Sequence, residues 1–107
     1  ALAVYGPEYL KQNMDNFGAL GRYAQFWSTQ DQNLESALAA AKKATELSKD
    51  NYSFWNTLSD ILLKQKKYDD ALKAAEKALE IAPAQPPQIK ESIKKRIEAI
   101  KAAQEKK

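Results

Sequence analysis

WNTLSDILLKQKKYDDALKAAEKALEIAP, residues Trp55 to Pro83, is the stretch on which the reading of the whole chain turns. Leu58, Ile61 and Leu62 recur at helical spacing, and so do Ala71, Ala75, Ala78 and Leu79, with the polar run QKKYDD between the two sets. The spacing predicts two helices joined by a short turn, the second with a narrow face made almost wholly of Ala. A copy of that second half lies upstream. Aligning Leu34–Asn51 with Tyr68–Gln85 gives seven identities in eighteen positions at a shift of 34 residues: Ala37, Leu38, Ala40, Ala41, Lys43, Ala44 and Glu46 fall on Ala71, Leu72, Ala74, Ala75, Lys77, Ala78 and Glu80. A period near 34 residues is the mark of stacked helical hairpins, each of which cannot bury its apolar face alone. The fold expected is therefore all-α.

Composition narrows the chemistry. The 107 residues include no Cys and no His, which removes disulfides, thiolate nucleophiles, thiolate metal sites and the commonest general base. The Asp69-Asp70 pair does not restore a catalytic site, because neighbours on a helix diverge by about 100° and cannot converge on one substrate atom. Asp69 is expected to cap the helix that follows it. There is no Gly-rich phosphate loop and no nucleophile motif, so the chain is not expected to be an enzyme and no cofactor or metal is implied. No apolar run approaches the about 20 residues that span a bilayer. The chain does not begin with Met, and it is expected to be a processed product or a piece of a longer protein.

The net charge of +3 is unevenly placed: seven Lys/Arg and three Glu lie in residues 90–107, against ten Lys/Arg and eleven Asp/Glu before them. The basic end is a candidate to contact nucleic acid or anionic lipid. Against it, Glu91 and Lys95, Lys94 and Glu98, and Lys101 and Glu105 stand at i, i+4, the pattern of a solvated helix face, and no aromatic interleaves the cations. In the same segment Ile89, Ile93, Ile97 and Ile100 form one stripe, expected to cover the open end of the preceding hairpin.

Trp55, Leu58, Ser59, Tyr68, Ala71, Ala78 and Pro83 occur in the order and spacing of the tetratricopeptide repeat, and the segment from Tyr52 to Gln85 resembles one complete repeat of that family. An earlier copy places Phe17, Leu20, Gly21 and Ala24 on Trp55, Leu58, Ser59 and Leu62 at a shift of 38, so four residues are extra within FWSTQDQN. Phe26 and Trp27, beside them, are expected to project beyond the regular stack. The other aromatics, Tyr5, Tyr9, Phe17, Tyr23, Phe54 and Trp55, are expected to be packing residues. The resemblance implies antiparallel hairpins stacked as a short right-handed superhelix, an α-solenoid: an atypical repeat at 14–51, a second at 52–85 and a capping helix at 86–107. Helices are expected near 7–14, 16–29, 32–48, 52–65, 69–82 and 87–105.

The resemblance also implies a function. In the family the first helix of each hairpin lines a groove that binds protein segments. That lining maps onto Asp15, Gly18, Arg22 and Gln25, and onto Ser53, Asn56, Asp60, Leu63 and Lys64, with Lys90 and Lys94 of the capping helix facing the same way. The expected binding set is Arg22, Gln25, Asn56, Asp60, Lys64, Lys90 and Lys94, taking a protein or peptide with an acidic or polar extended segment. Members that grip a terminal carboxylate use Lys, Asn and Arg at five groove positions. Here Gly18, Arg22, Thr57, Pro87 and Glu91 stand at those positions, so that clamp is not expected. Two alternatives stay open on the sequence: a structural appendage of a larger protein, such as a bacterial thioredoxin-like one, and a homo-oligomerisation module.

Overall fold

The computed structural model describes residues 7–105, and all of its regular structure is helical. Tyr5, expected to pack, and the last two residues of the capping helix expected at 86–107 lie outside the described residues. Six helices follow one another: α1 (Pro7–Gln12), α2 (Phe17–Gln30), α3 (Leu34–Leu47), α4 (Tyr52–Lys64), α5 (Tyr68–Ile81) and α6 (Pro87–Glu105). Each α2–α3 and α4–α5 pair packs closely, α4 lies on α3, and α6 closes the array on α5. This is an all-α, tetratricopeptide-like stack of hairpins.

Local chemistry sets the ends of the helices. Asn16 and Asn51 begin α2 and α4 from extended backbone, and their side-chain oxygens accept from the backbone N–H groups of Ala19 and Ser53 at 3.1 and 3.0 Å. These bonds satisfy donors that the first turn leaves open. At the other ends Asp31 (φ 56°) and Lys66 (φ 62°) take the left-handed conformation. The Lys67 N–H then reaches back to the Leu62 carbonyl, and the Gln32 N–H to that of Trp27, each at 2.9–3.1 Å. The two hairpin turns are the same Schellman closure, built without glycine.

The core follows the Ala pattern. Ala71, Ala75 and Ala78 are fully buried, as are Ala37 and Ala44, so paired helices approach until backbone nears backbone. Ser59 lies between α4 and α5: it has no exposure, and its hydroxyl donates to the Ala71 carbonyl at 2.8 Å. Leu20, Ile61, Ile93 and Ile100 fill the wider gaps. Of the Ile stripe on α6, Ile93, Ile97 and Ile100 are buried and Ile89 is half-buried against the core.

Trp55 packs half-buried against the core, with its indole N–H donating to the Lys49 carbonyl at 2.9 Å, while Leu58 takes the interior position. Several expectations about other residues are corrected. Phe17 is 46% exposed. Trp27 does not project: it is buried in the core, and Phe26 stacks edge-on against it at 5.0 Å. Asp69 does not cap α5, whose N-cap is Lys67 with no side-chain bond; its carboxylate accepts from Gln104 of α6 instead. None of the three i, i+4 pairs on α6 closes, the ion pairs among the described residues being Lys64–Asp60, Lys77–Glu80 and Arg96–Asp60.

With Leu20 aligned on Leu58, the four extra residues expected in the first copy fall within the helix and not in the connection. Both turns have three residues, 31–33 and 65–67, whereas α2 runs ten residues past Leu20 and α4 only six past Leu58. Buried positions agree at the 38-residue shift: Ala19, Leu20, Gly21, Tyr23 and Ala24 on Thr57, Leu58, Ser59, Ile61 and Leu62. Four residues advance a helix by about 400°, close to a whole turn. The insertion therefore preserves the buried face and adds Trp27 and Ser28 to it.

Candidate functional site

The candidate site is the trough between α2 and α4, closed at one end by α6. Helical spacing puts Gly18, Gly21, Arg22 and Gln25 along one wall and Ser53, Phe54 and Thr57 along the other, enclosing about 300 Å³. The trough continues past Gln25, Ser53 and Thr57 into a smaller chamber of about 150 Å³ bounded by Asn56, Asp60 and Arg96. Gln25, Ser53 and Thr57 border both spaces, so they form one continuous surface.

The two ends differ in chemistry. At the open end the Phe54 ring lies directly on the α2 backbone, where Gly21 has no Cβ; a Cβ there would sit 2.4 Å from Phe54 Cε1. Phe17 meets Phe54 edge-on at 5.8 Å, giving an aromatic shelf beside the Arg22 guanidinium. At the closed end Asp60 is shared by three helices. Its Oδ2 accepts from Ser28 Oγ of α2 at 2.6 Å and lies 3.7 Å from Lys64 Nζ, while its Oδ1 accepts from Arg96 of α6 at 3.3 Å. Lys64 Nζ also donates to the Ser28 carbonyl. Between the ends, the Thr57 hydroxyl lies 3.0 Å from Gln25 Oε1 and 3.1 Å from the Ser53 carbonyl.

Two features leave this surface chemically unfinished. Asn56 Oδ1 is buried and has no hydrogen-bond partner among the described residues, a state that costs about 1–3 kcal/mol for a neutral polar atom. Arg22, Lys64 and Arg96 outnumber the single Asp60 carboxylate, so the trough is cationic. Among the described residues only one Arg96 nitrogen is engaged, by Asp60.

Of the residues expected to form the site, the structure gathers Arg22, Gln25, Asn56 and Asp60 in the trough, with Lys64 at its edge. Asp15 is exposed in the turn before α2, and Leu63 packs half-buried against the core. Lys94 is turned the other way and lines a cleft between α5 and α6 with Glu76, Leu79, Ile97, Glu98 and Lys101. Lys90 precedes it by one turn on the same flank of the Ile stripe. The α6 cation at the trough is Arg96, which sequence reasoning missed. Arg96 lies on the opposite flank of that stripe, and which flank faces the trough depends on how the chain turns through residues 82–86. Depressions of about 320 and 340 Å³ elsewhere are rimmed by lysines and acids at an α5 end and along α6. The trough differs from them in joining three helices through a hydrogen-bonded floor.

Comparison with known families agrees with this architecture. The sequence model of the tetratricopeptide repeat matches residues 52–85, which span α4, α5 and the start of the following connection. Residues 52–85 fit a tetratricopeptide-like repeat. With α6 on α5, the repeat carries a capping helix at its open side. No curated protein matches the chain. Tetratricopeptide repeats are protein–protein interaction modules and generally non-catalytic scaffolds. Among the described residues no helix is long and apolar enough to cross a membrane, and no acidic cluster could hold a metal ion.

Proposed function

We propose that this chain is an interaction module that holds an extended segment of another protein in the trough between α2 and α4. The observation that carries this reading is the pair of adjoining spaces between α2 and α4 that share Gln25, Ser53 and Thr57 and end at Asn56, Asp60 and Arg96. A peptide backbone offers an N–H and a C=O at every residue, so it can meet a row of side-chain amides and hydroxyls without demanding one sequence. The groove residues for this role are Arg22, Gln25, Asn56, Asp60 and Arg96. Affinity rests on the trough and not on the basic helix surface, because Arg96 is half-buried in the smaller chamber and Arg22 borders the larger space, so their charges act on the same enclosed volume.

The test compares two paired variants against a partner recovered by affinity capture and then purified. Arg22→Ala with Asn56→Ala should lower its affinity about tenfold or more, since each removes a directional contact. Lys94→Ala with Lys101→Ala, on the far side of α6, should change it less than about twofold. Equal losses in both pairs, or a loss in the second pair alone, would move binding off the trough.

A further inference from the structure

The two ends of the trough ask for different side chains, and their separation sets a spacing. The open end is an aromatic shelf of exposed Phe17 and half-buried Phe54, the latter seated on the Gly21 backbone. The closed end is cationic: among the described residues Arg96 has one nitrogen on Asp60 and no other partner, and Lys64 offsets the same carboxylate. Phe54 and Asp60 are six residues apart on α4, a rise of about 9 Å at 1.5 Å per residue. An extended chain covers that distance in about three residues.

We infer that the trough selects peptide segments of another protein in which one apolar side chain and one carboxylate stand three residues apart, the apolar group on Phe17 and Phe54 and the carboxylate on Arg96. This rests on the groove reading above and adds the identity of its two anchors. Arg22 stands beside the shelf, so a second acidic residue next to the apolar anchor is favoured and a basic one is repelled. The excess of trough cations over Asp60 gives the charge complementarity, and the 46% exposure of Phe17 gives the apolar contact. Asn56, Gln25 and Thr57 then face the two residues between the anchors, where main-chain groups pass.

The test is a selection from random twelve-residue peptides with blocked termini, displayed against the intact chain, followed by anisotropy on synthetic copies of the enriched sequences. The enriched set should pair Phe, Leu, Ile, Met, Trp or Tyr with Asp or Glu at a separation of three, in either order along the peptide. Replacing the acid by its amide should weaken binding about three- to tenfold on the native chain, and less than about twofold on Arg96→Gln, with Arg96→Lys intermediate. Phe17→Ser, on an exposed side chain, should weaken the apolar contribution about threefold and leave the acid effect intact. Because Arg96 also braces Asp60, loss of the acid's effect on Arg96→Gln, measured as a ratio of two peptides on one protein, is the readout that a change in folding alone would not produce.

Enriched peptides that lose affinity with Arg22→Ala and Asn56→Ala yet lack the acid, or keep their acid effect on Arg96→Gln, would overturn the anchor assignment and leave the groove reading standing. Peptides indifferent to Arg22→Ala and Asn56→Ala, or a selection that enriches nothing, would overturn both. Displacement of the selected peptides from the trough by single-stranded RNA at equal charge would overturn the peptide assignment in favour of a general polyanion. Self-association of the chain competing with the peptides would replace the foreign segment by a second copy.

Discussion

Two glycines three residues apart on α2 should respond in opposite directions to the same substitution. On helix propensity alone Gly→Ala stabilises an interior helical position by about 1 kcal/mol. At Gly18 the added Cβ would meet Asn16 Oδ1 at 3.4 Å and Arg22 at 3.8 Å, ordinary contacts. Gly18→Ala should therefore stabilise, by about 0.5 kcal/mol because the first turn feels only part of the propensity. At Gly21 the Cβ would fall 2.4, 3.0 and 3.3 Å from three atoms of the Phe54 ring. Overpacking of this kind costs about 1–3 kcal/mol. If the ring moves aside, the edge contact with Phe17 is lost as well, worth about 0.5–1.5 kcal/mol. Against a propensity gain of about 1 kcal/mol, Gly21→Ala should come out destabilising by about 1 kcal/mol, a fall in Tm of about 4–8 °C for a domain of this size. Thermal unfolding followed by circular dichroism measures both variants. In a Phe54→Ala background the obstruction is gone and Gly21→Ala should become stabilising, a coupling that a double-mutant cycle isolates. A Tm for Gly21→Ala at or above that of the native chain would refute the close approach of Phe54 to α2.

Lys66→Gly should stabilise the turn after α4 by about 0.5–1 kcal/mol in urea titration, because Lys66 holds a left-handed conformation that only glycine adopts freely. Ile61→Ala should cost about 2–5 kcal/mol and Trp55→Ala less than that, the reverse of a ranking by side-chain size, because Ile61 has no exposure and Trp55 is half in solvent. Ending the chain after Pro86 removes α6 and bares the surface under Ile93 and Ile100; light scattering should then show association that the longer chain lacks.

The hairpin period was legible because its signals are redundant. Ala71, Ala75 and Ala78 state the same close helix contact three times, and their counterparts in α3 state it again. The stop signals were weaker: with no glycine at Asp31 or Lys66, the turns had to be inferred from where the apolar pattern lapsed. Burial of single aromatics was not legible, since Trp55 and Phe17 carry the same pattern whether the ring points inward or along the rim. Half of the trough could be read from the α2 and α4 face. Arg96 could not, because a helical stripe has two flanks and the sequence carries no sign of which one turns toward Asp60. The Ser28–Asp60 bond lay hidden for another reason: it joins residues 32 apart through the added turn of α2, whose burial depends on that turn being helical.

That bond changes how the energy of the array is divided. In an ideal solenoid each hairpin touches only its neighbours, and stability is a sum of unit terms and nearest-neighbour terms. Here one carboxylate on α4 accepts from α2 on one side and from α6 on the other, so displacing either flank alters what the other flank holds. The two ends of the molecule thereby share a term that belongs to neither interface alone. Fraying of the capping helix should be felt in the amide-exchange rates around Ser28, and the array should open as one cooperative unit where its repeat pattern would suggest stepwise peeling.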